Sequence, residues 1–202
     1  MVKFLLILFY VSSGFVFFQQ RPWELALNKE GIKVYTRKTD SVAIKEYKVT
    51  MQVNAPIDSV LKKVLDIKKL KYWSYRIAES DLVKKINDST WVFYIHNDVE
   101  WPVRDRDHVS KVQLQKRNEI YKVLLTPYNN FVREKKDVVR ITKFRGLWTL
   151  KKMDSGRTQV TQQLYGDPES NIPPFFINMM IAKAPFHTFK NMKTQLESKA
   201  IK

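Results

Sequence analysis

The sequence predicts an α+β fold, a curved antiparallel sheet closed over a C-terminal helix, and three patterns carry that prediction. The C-terminal stretch is too apolar to stand alone in water. The central two-thirds alternates in the period of half-buried strands. One early segment has the 3.6-residue period of an amphipathic helix.

The C-terminal stretch opens with Asn171-Ile172-Pro173-Pro174. It then runs through Phe175, Phe176, Ile177, Met179, Met180, Ile181, Ala184, Phe186, Phe189, Met192 and Leu196. Prolines are tolerated at a helix start, where the first N–H groups lack partners anyway, so the helix is placed from Pro174 to about residue 199. Its first half is apolar almost all round and should be buried on most sides. Its last turns narrow to one stripe of Phe189, Met192 and Leu196. Pro185 removes a ladder bond and should kink or break the helix near Ala182. Burying phenylalanine or methionine contributes roughly 1.5–3 kcal/mol each, so something must wrap this helix.

The remaining elements follow in order. Trp23 to Asn28 is read as a short helix ended by Gly31. Residues 32–37 alternate as a strand. Residues 46–53 alternate more cleanly, with Tyr47, Val49, Met51 and Val53 on one face. A helix follows Ala55-Pro56, its apolar stripe formed by Ile57, Val60, Leu61, Val64 and Leu65, and a second helical piece runs on to Trp73. Residues 82–86 and 91–96 flank the turn-forming Asn87-Asp88-Ser89-Thr90. Further strands are placed at 104–114, 120–126, 138–144, 146–150 and 158–165. There is no internal repeat and no second-domain boundary.

Composition narrows the function. A chain of 202 residues, 44% hydrophobic with 5 glycines, fits one domain with a sizeable core. The absence of cysteine excludes disulfides, thiolate metal sites and lipoprotein modification. The net charge of +16 favours any anionic partner, whether nucleic acid, an anionic membrane surface or an acidic protein, and its paired lysines read equally as a solvated, soluble surface or as a membrane-directed patch. Met1-Val2-Lys3, the apolar run from Phe4, and the small Ser12, Ser13 and Gly14 read as a secretory leader over residues 1–20. That implies a periplasmic or secreted protein, or one anchored by an uncleaved leader, with residues 21–202 as the folded domain.

Five ordered motifs resemble the START domain, the lipid-transfer domain related to the steroidogenic acute regulatory protein. They are Trp23 with Gly31 to Arg37, Trp73, Trp101-Pro102-Val103-Arg104-Asp105-Arg106-Asp107, Gly146-Leu147-Trp148-Thr149-Leu150, and Asp167-Pro168 leading to Ile172-Pro173 and Asn178. The resemblance implies a helix-grip fold, in which the sheet wraps the C-terminal helix and encloses an apolar cavity for one lipid or sterol. It also implies that the helix and nearby loops act as a lid. The leader is a departure from most eukaryotic members.

On this reading the lipid-binding candidates are Trp101, Arg106, Trp148, Phe175, Phe176, Met179, Met180 and Phe186. Arg104, Arg106 and His108 share one strand face, with Asp105 and Asp107 on the other. If Arg106 points into the cavity, as the resemblance implies, it must be paired or meet a polar ligand group. Asp98 and Glu100 are its candidate partners, and the rival to a ligand anchor is an internal ion pair. Trp101 and Trp148 are cavity wall or ordinary core.

No catalytic residue, metal site or cofactor is assigned. The histidines His96, His108 and His187 lie in no metal-binding spacing, and no nucleophile elbow or glycine-rich phosphate loop occurs. No nucleic-acid-binding module is recognisable. The expectation is therefore a monomeric, non-enzymatic lipid binder and carrier. Its rivals are a cyclase or aromatase in the same fold and a ligand-sensing module without transfer activity.

Overall fold

The computed structural model describes residues 21–39, 45–99, 103–167, 169, 178 and 180–198. Nine strands form one antiparallel sheet in the order β1-β2-β3-β10-β9-β7-β6-β5-β4, and β8 pairs with β6 off this path. In chain order the first strands are β1 (Glu24–Lys29), β2 (Ile32–Lys38) and β3 (Lys45–Val53). Helix α1 (Ile57–Leu65) and a 3₁₀ turn (Ile67–Tyr72) follow. Then come β4 (Ile77–Asn87), β5 (Thr90–Asn97), β6 (Arg106–Arg117) and β7 (Ile120–Pro127). The short β8 (Val139–Arg140), β9 (Phe144–Lys152) and β10 (Thr158–Gly166) lead to the last helix, α2 (Lys183–Glu197).

Two expected elements are corrected. Residues 24–29 form β1, not a helix. Of these side chains only Leu27 is even half-buried, so there is no i, i+3, i+4 face to pack a helix. The segment instead folds back on β2 through Glu30 and Gly31, both with positive φ (55° and 74°), a pair of left-handed turn residues that suits a two-residue hairpin. Trp23 lies under the cations of Arg37 and Lys48, 4.3 and 4.8 Å from its ring centroid. Residues 138–144 are likewise not one strand. Only Val139–Arg140 pairs, parallel to the start of β6, and Phe144 already belongs to β9.

The core lies between the concave face of the sheet and the two helices. α1 buries Ile57, Val60, Leu61 and Val64, the stripe that its periodicity predicts. α2 buries Phe186, Phe189, Met192 and Leu196 against β2 and β3. Pro185 sits at its third residue, where its missing N–H costs no ladder bond, and the turn at residues 181–182 marks the break expected near Ala182. The predicted helix start at Pro174 lies outside the described residues. Among the described residues no helix is long and apolar enough to cross a membrane. The leader lies outside them.

α2 is tied to the chain behind α1 by polar bonds as well. Tyr75 N–H donates to Thr188 Oγ1 at 3.0 Å, and Asn191 Nδ2 donates to the Trp73 carbonyl at 3.1 Å. A second, smaller cluster on the convex side joins Val92, Tyr94 and Val109 with Val83, Tyr128 and Val132.

Candidate functional site: the concave face beneath the C-terminal helix

Antiparallel register brings directly paired residues onto one face, so the pairings identify what looks inward. One inward row runs Val49, Gln162, Trp148, Val123 and Leu114. The next runs Tyr47, Leu164, Gly146, Leu125 and Val112. At the far end of the sheet His108 faces Ile95, and Ile95 faces Ser80.

These rows differ in cover. Val34, Val49, Leu150, Val160, Phe189 and Met192 are wholly buried, so the end under α1 and α2 is filled with side chains. Tyr47, Leu164, Leu125, Phe144 and His108 also belong to the inward face, yet each is only half-buried. Among the described residues the concave face is thus filled under the helices and covered less evenly at the other end, where Val112, Ile95, Ser110 and Arg106 are still buried.

The less evenly covered end is apolar with a few placed polar groups. Tyr47 donates its hydroxyl to Gln162 Oε1 at 3.1 Å, and burial pushes the Tyr47 phenol up, so it stays protonated. The ring of His108 stands edge-on to Phe144, 5.0 Å between centroids. Burial pushes the His108 imidazole down to about 4, so it is neutral at pH 7. Ser80 and Ser110 bury their hydroxyls with no hydrogen-bond partner among the described residues. Backbone N–H of Lys45, at the start of β3, donates to Asn178 Oδ1 at 3.1 Å and so joins this end of the sheet to the chain that precedes α2.

Each candidate named from the sequence has a definite place or lies outside the described residues. Trp101, Phe175, Phe176 and Met179 lie outside them. Arg106 is buried on β6, two residues before His108, and its guanidinium donates to the Arg104 carbonyl. Burial lowers its pKa from the usual arginine value, with a smaller push from Arg104 opposed by Asp105. Asp98, one of its candidate partners, accepts from Arg76 Nη1 at 3.1 Å, and Glu100 lies outside the described residues. Trp148 is buried in the sheet–helix core. It stacks on Phe189 at 5.5 Å with the rings 3° from parallel, and meets Trp73 edge-on at 6.5 Å. Phe186 is buried against the same core, and Met180 is half-buried just before α2.

Asp105 and Asp107 are held in separate networks. Asp105 accepts from the Val99 N–H at 3.0 Å and lies 2.9 Å from His96 Nε2. The backbone bond, with a smaller contribution from His96, pulls its carboxyl below the usual range. Asp107 forms a two-point pair with Arg140 at 2.6 and 3.0 Å on the convex side and also accepts from Tyr94 Oη at 3.2 Å. Arg140 reaches on to the Val132 carbonyl at 3.0 Å, so this pair fastens the loop after β7 to the start of β6. The two networks set where β6 begins, and therefore where Arg106 and His108 stand.

Sequence reasoning placed His108 on the face of Arg106 but named neither it nor Tyr47 and Gln162 as site residues. Alternation in β3 and β6 was the available signal. What it lacked was the order of strands, which puts β3, β10, β9, β7 and β6 side by side.

The architecture defines the class of protein: a helix-grip fold, a curved antiparallel sheet holding a C-terminal helix over a partly covered apolar face. The family model for the START domain matches residues 18–200, and the chain belongs to that family. Among solved structures it is similar to the STAR-related lipid transfer protein from Xanthomonas axonopodis, with 30% identity and a TM-score of 0.79, covering 86% of this chain and 98% of that one. An uncharacterized protein of Pseudomonas aeruginosa is 28% identical over 180 residues, 88% of each chain. The phosphatidylcholine transfer protein of Rattus norvegicus is 26% identical over 163 residues, 77% of this chain and 75% of that protein. These relatives include named lipid transfer proteins.

Proposed function

We propose that this protein binds one lipid or sterol-like molecule against the concave face and carries or shields it across an aqueous compartment. The observation that supports this most is the less evenly covered apolar face at the Tyr47–His108 end, beside a core that is fully packed under the helices. Burying acyl chains there removes apolar surface from water, the driving term for binding. The names of its relatives agree with such a role. Arg106 is the proposed anchor for a phosphate or other anionic head group, since it is the guanidinium on the inward strand face of β6. Trp101, Phe175, Phe176, Met179, Met180 and Phe186 are proposed to complete the wall, and Trp148 to support it from the core.

The protein acts in this reading as a monomeric, exported carrier and not as a catalyst. The +16 charge draws it to anionic membrane surfaces, where the C-terminal helix and its neighbours move to admit the ligand. Native mass spectrometry of protein purified from its own host without detergent, followed by lipid extraction and a vesicle exchange assay, tests this. The expected result is one bound lipid per chain, exchanged between vesicles unchanged. A product of altered mass would instead support a cyclase-type enzyme, and tight binding without exchange a sensor. An empty protein that takes up no lipid refutes the proposal.

A further inference from the structure

His108 is the one imidazole that β6 directs at the concave face. Val109 beside it joins the convex cluster with Val92 and Tyr94, while Val112 and Ser110 carry the inward face of the same strand. The edge-on contact with Phe144 holds the ring against β9. Among the described residues neither ring nitrogen has a hydrogen-bond partner, and the side chain is only half-buried. The other two histidines differ. His96 lies between Glu79 (3.4 Å) and Asp105 (2.9 Å), and His187 stacks on Tyr75 at 5.1 Å. A neutral imidazole offers one N–H and one lone pair. Ile95 pairs across from His108, Phe144 packs on its ring, and Arg106 and Ser110 flank it on the same strand face, so its N–H and lone pair face a site of mixed character without a partner among the described residues.

We propose that His108 donates its ring N–H to an ester carbonyl of the bound lipid and so selects diacyl over ether-linked lipids. The spacing fits that chemistry. Residues i and i+2 of a strand lie about 7 Å apart on one face, comparable to the separation of a phosphate from the nearest acyl carbonyls of a glycerophospholipid. A head group at Arg106 therefore brings the ester region to His108. The inference rests on the lipid-binding reading and on Arg106 as the head-group end, and names the lipid class that the site prefers.

The test compares two probes, a diacyl phosphatidylcholine and its dialkyl-ether analogue with the same chains and head group. Affinity of the full protein for each is measured from lipid vesicles. The unmodified protein should prefer the diester roughly tenfold, the effect of about one hydrogen bond. His108→Phe keeps the ring contact and should reduce the preference to within about twofold, while His108→Gln, which retains an N–H donor, should keep part of it. Nitrogen-15 shifts of the His108 ring should move on adding diester lipid and not on adding the ether, a readout that needs no variant to fold. An unchanged preference in His108→Phe, or equal ring shifts with both lipids, overturns the inference while leaving the carrier reading in place. If the unmodified protein binds neither probe nor any lipid of its host, both readings fall together.

Discussion

Replacing Arg140 by methionine should destabilise the protein by about 3–5 kcal/mol, because it leaves the Asp107 carboxylate buried and uncompensated. The structure makes this pair unusually demanding. The side chains of Arg140 and Asp107 are 4% and 1% exposed, and the guanidinium meets both carboxylate oxygens at 2.6 and 3.0 Å. Without Arg140 the carboxylate keeps, among the described residues, the Tyr94 hydroxyl at 3.2 Å. The converse change is milder. In Asp107→Asn the guanidinium still donates to the Val132 carbonyl at 3.0 Å, and the loss should be that of hydrogen bonds to a charged group, about 1.5–3 kcal/mol. The double variant should be more stable than Arg140→Met alone, since no buried charge then lacks a partner. Urea denaturation of the four proteins, read by tryptophan fluorescence and circular dichroism with equal m-values, gives the cycle. A loss below about 1 kcal/mol in Arg140→Met, or strictly additive single changes, would refute the argument that this pair carries the loop after β7.

The depressed His108 pKa of about 4 should also be visible in stability. Its folded value lies below the unfolded one near 6.5, so the unfolded chain binds the proton first and stability is lost as pH falls from about 6.5 toward 4. Unmodified protein should lose about 2 kcal/mol more than His108→Phe between pH 7 and pH 4.5, measured by denaturant titration at each pH, and parallel curves would refute it. Phe189→Ala removes the ring stacked on Trp148 at full burial and should cost about 3–5 kcal/mol in the same assay. Gly31→Ala forces a side chain to φ 74° and should cost about 1–2 kcal/mol; no change would mean that the turn relaxes. Association with anionic vesicles should weaken steeply between low salt and about 0.5 M as the Debye length shrinks, and salt-independent binding would rule out electrostatic docking.

Local periodicity carried much of the fold. The stripe of α1, the inward face of β3, and the Phe189–Met192–Leu196 seam of α2 all stand where their spacing placed them, because each signal is contained within a few turns or a single strand. Two segments went against local pattern. Leu25 and Leu27 sit among helix-compatible residues, yet a left-handed Glu30–Gly31 turn lays them along β2 as an edge strand. Residues 138–144 are strand-like in composition, but Arg140 is drawn to Asp107 on β6, and only two residues pair.

What the sequence alone determined is the class of fold, the need to wrap an apolar C-terminal helix, and the family, since each depends on residue pattern along the chain. Tertiary structure alone decided which side chains share the concave face. Tyr47 and Gln162 are 115 residues apart and meet only because β10 pairs with β3. His108 meets Phe144 beyond the point where β7, the strand between theirs, has ended at Pro127. Trp148 belongs to the packed core because Phe189 lies flat upon it. Alternation tells each strand which residues share a face, but long-range pairing and curvature decide what that face encloses.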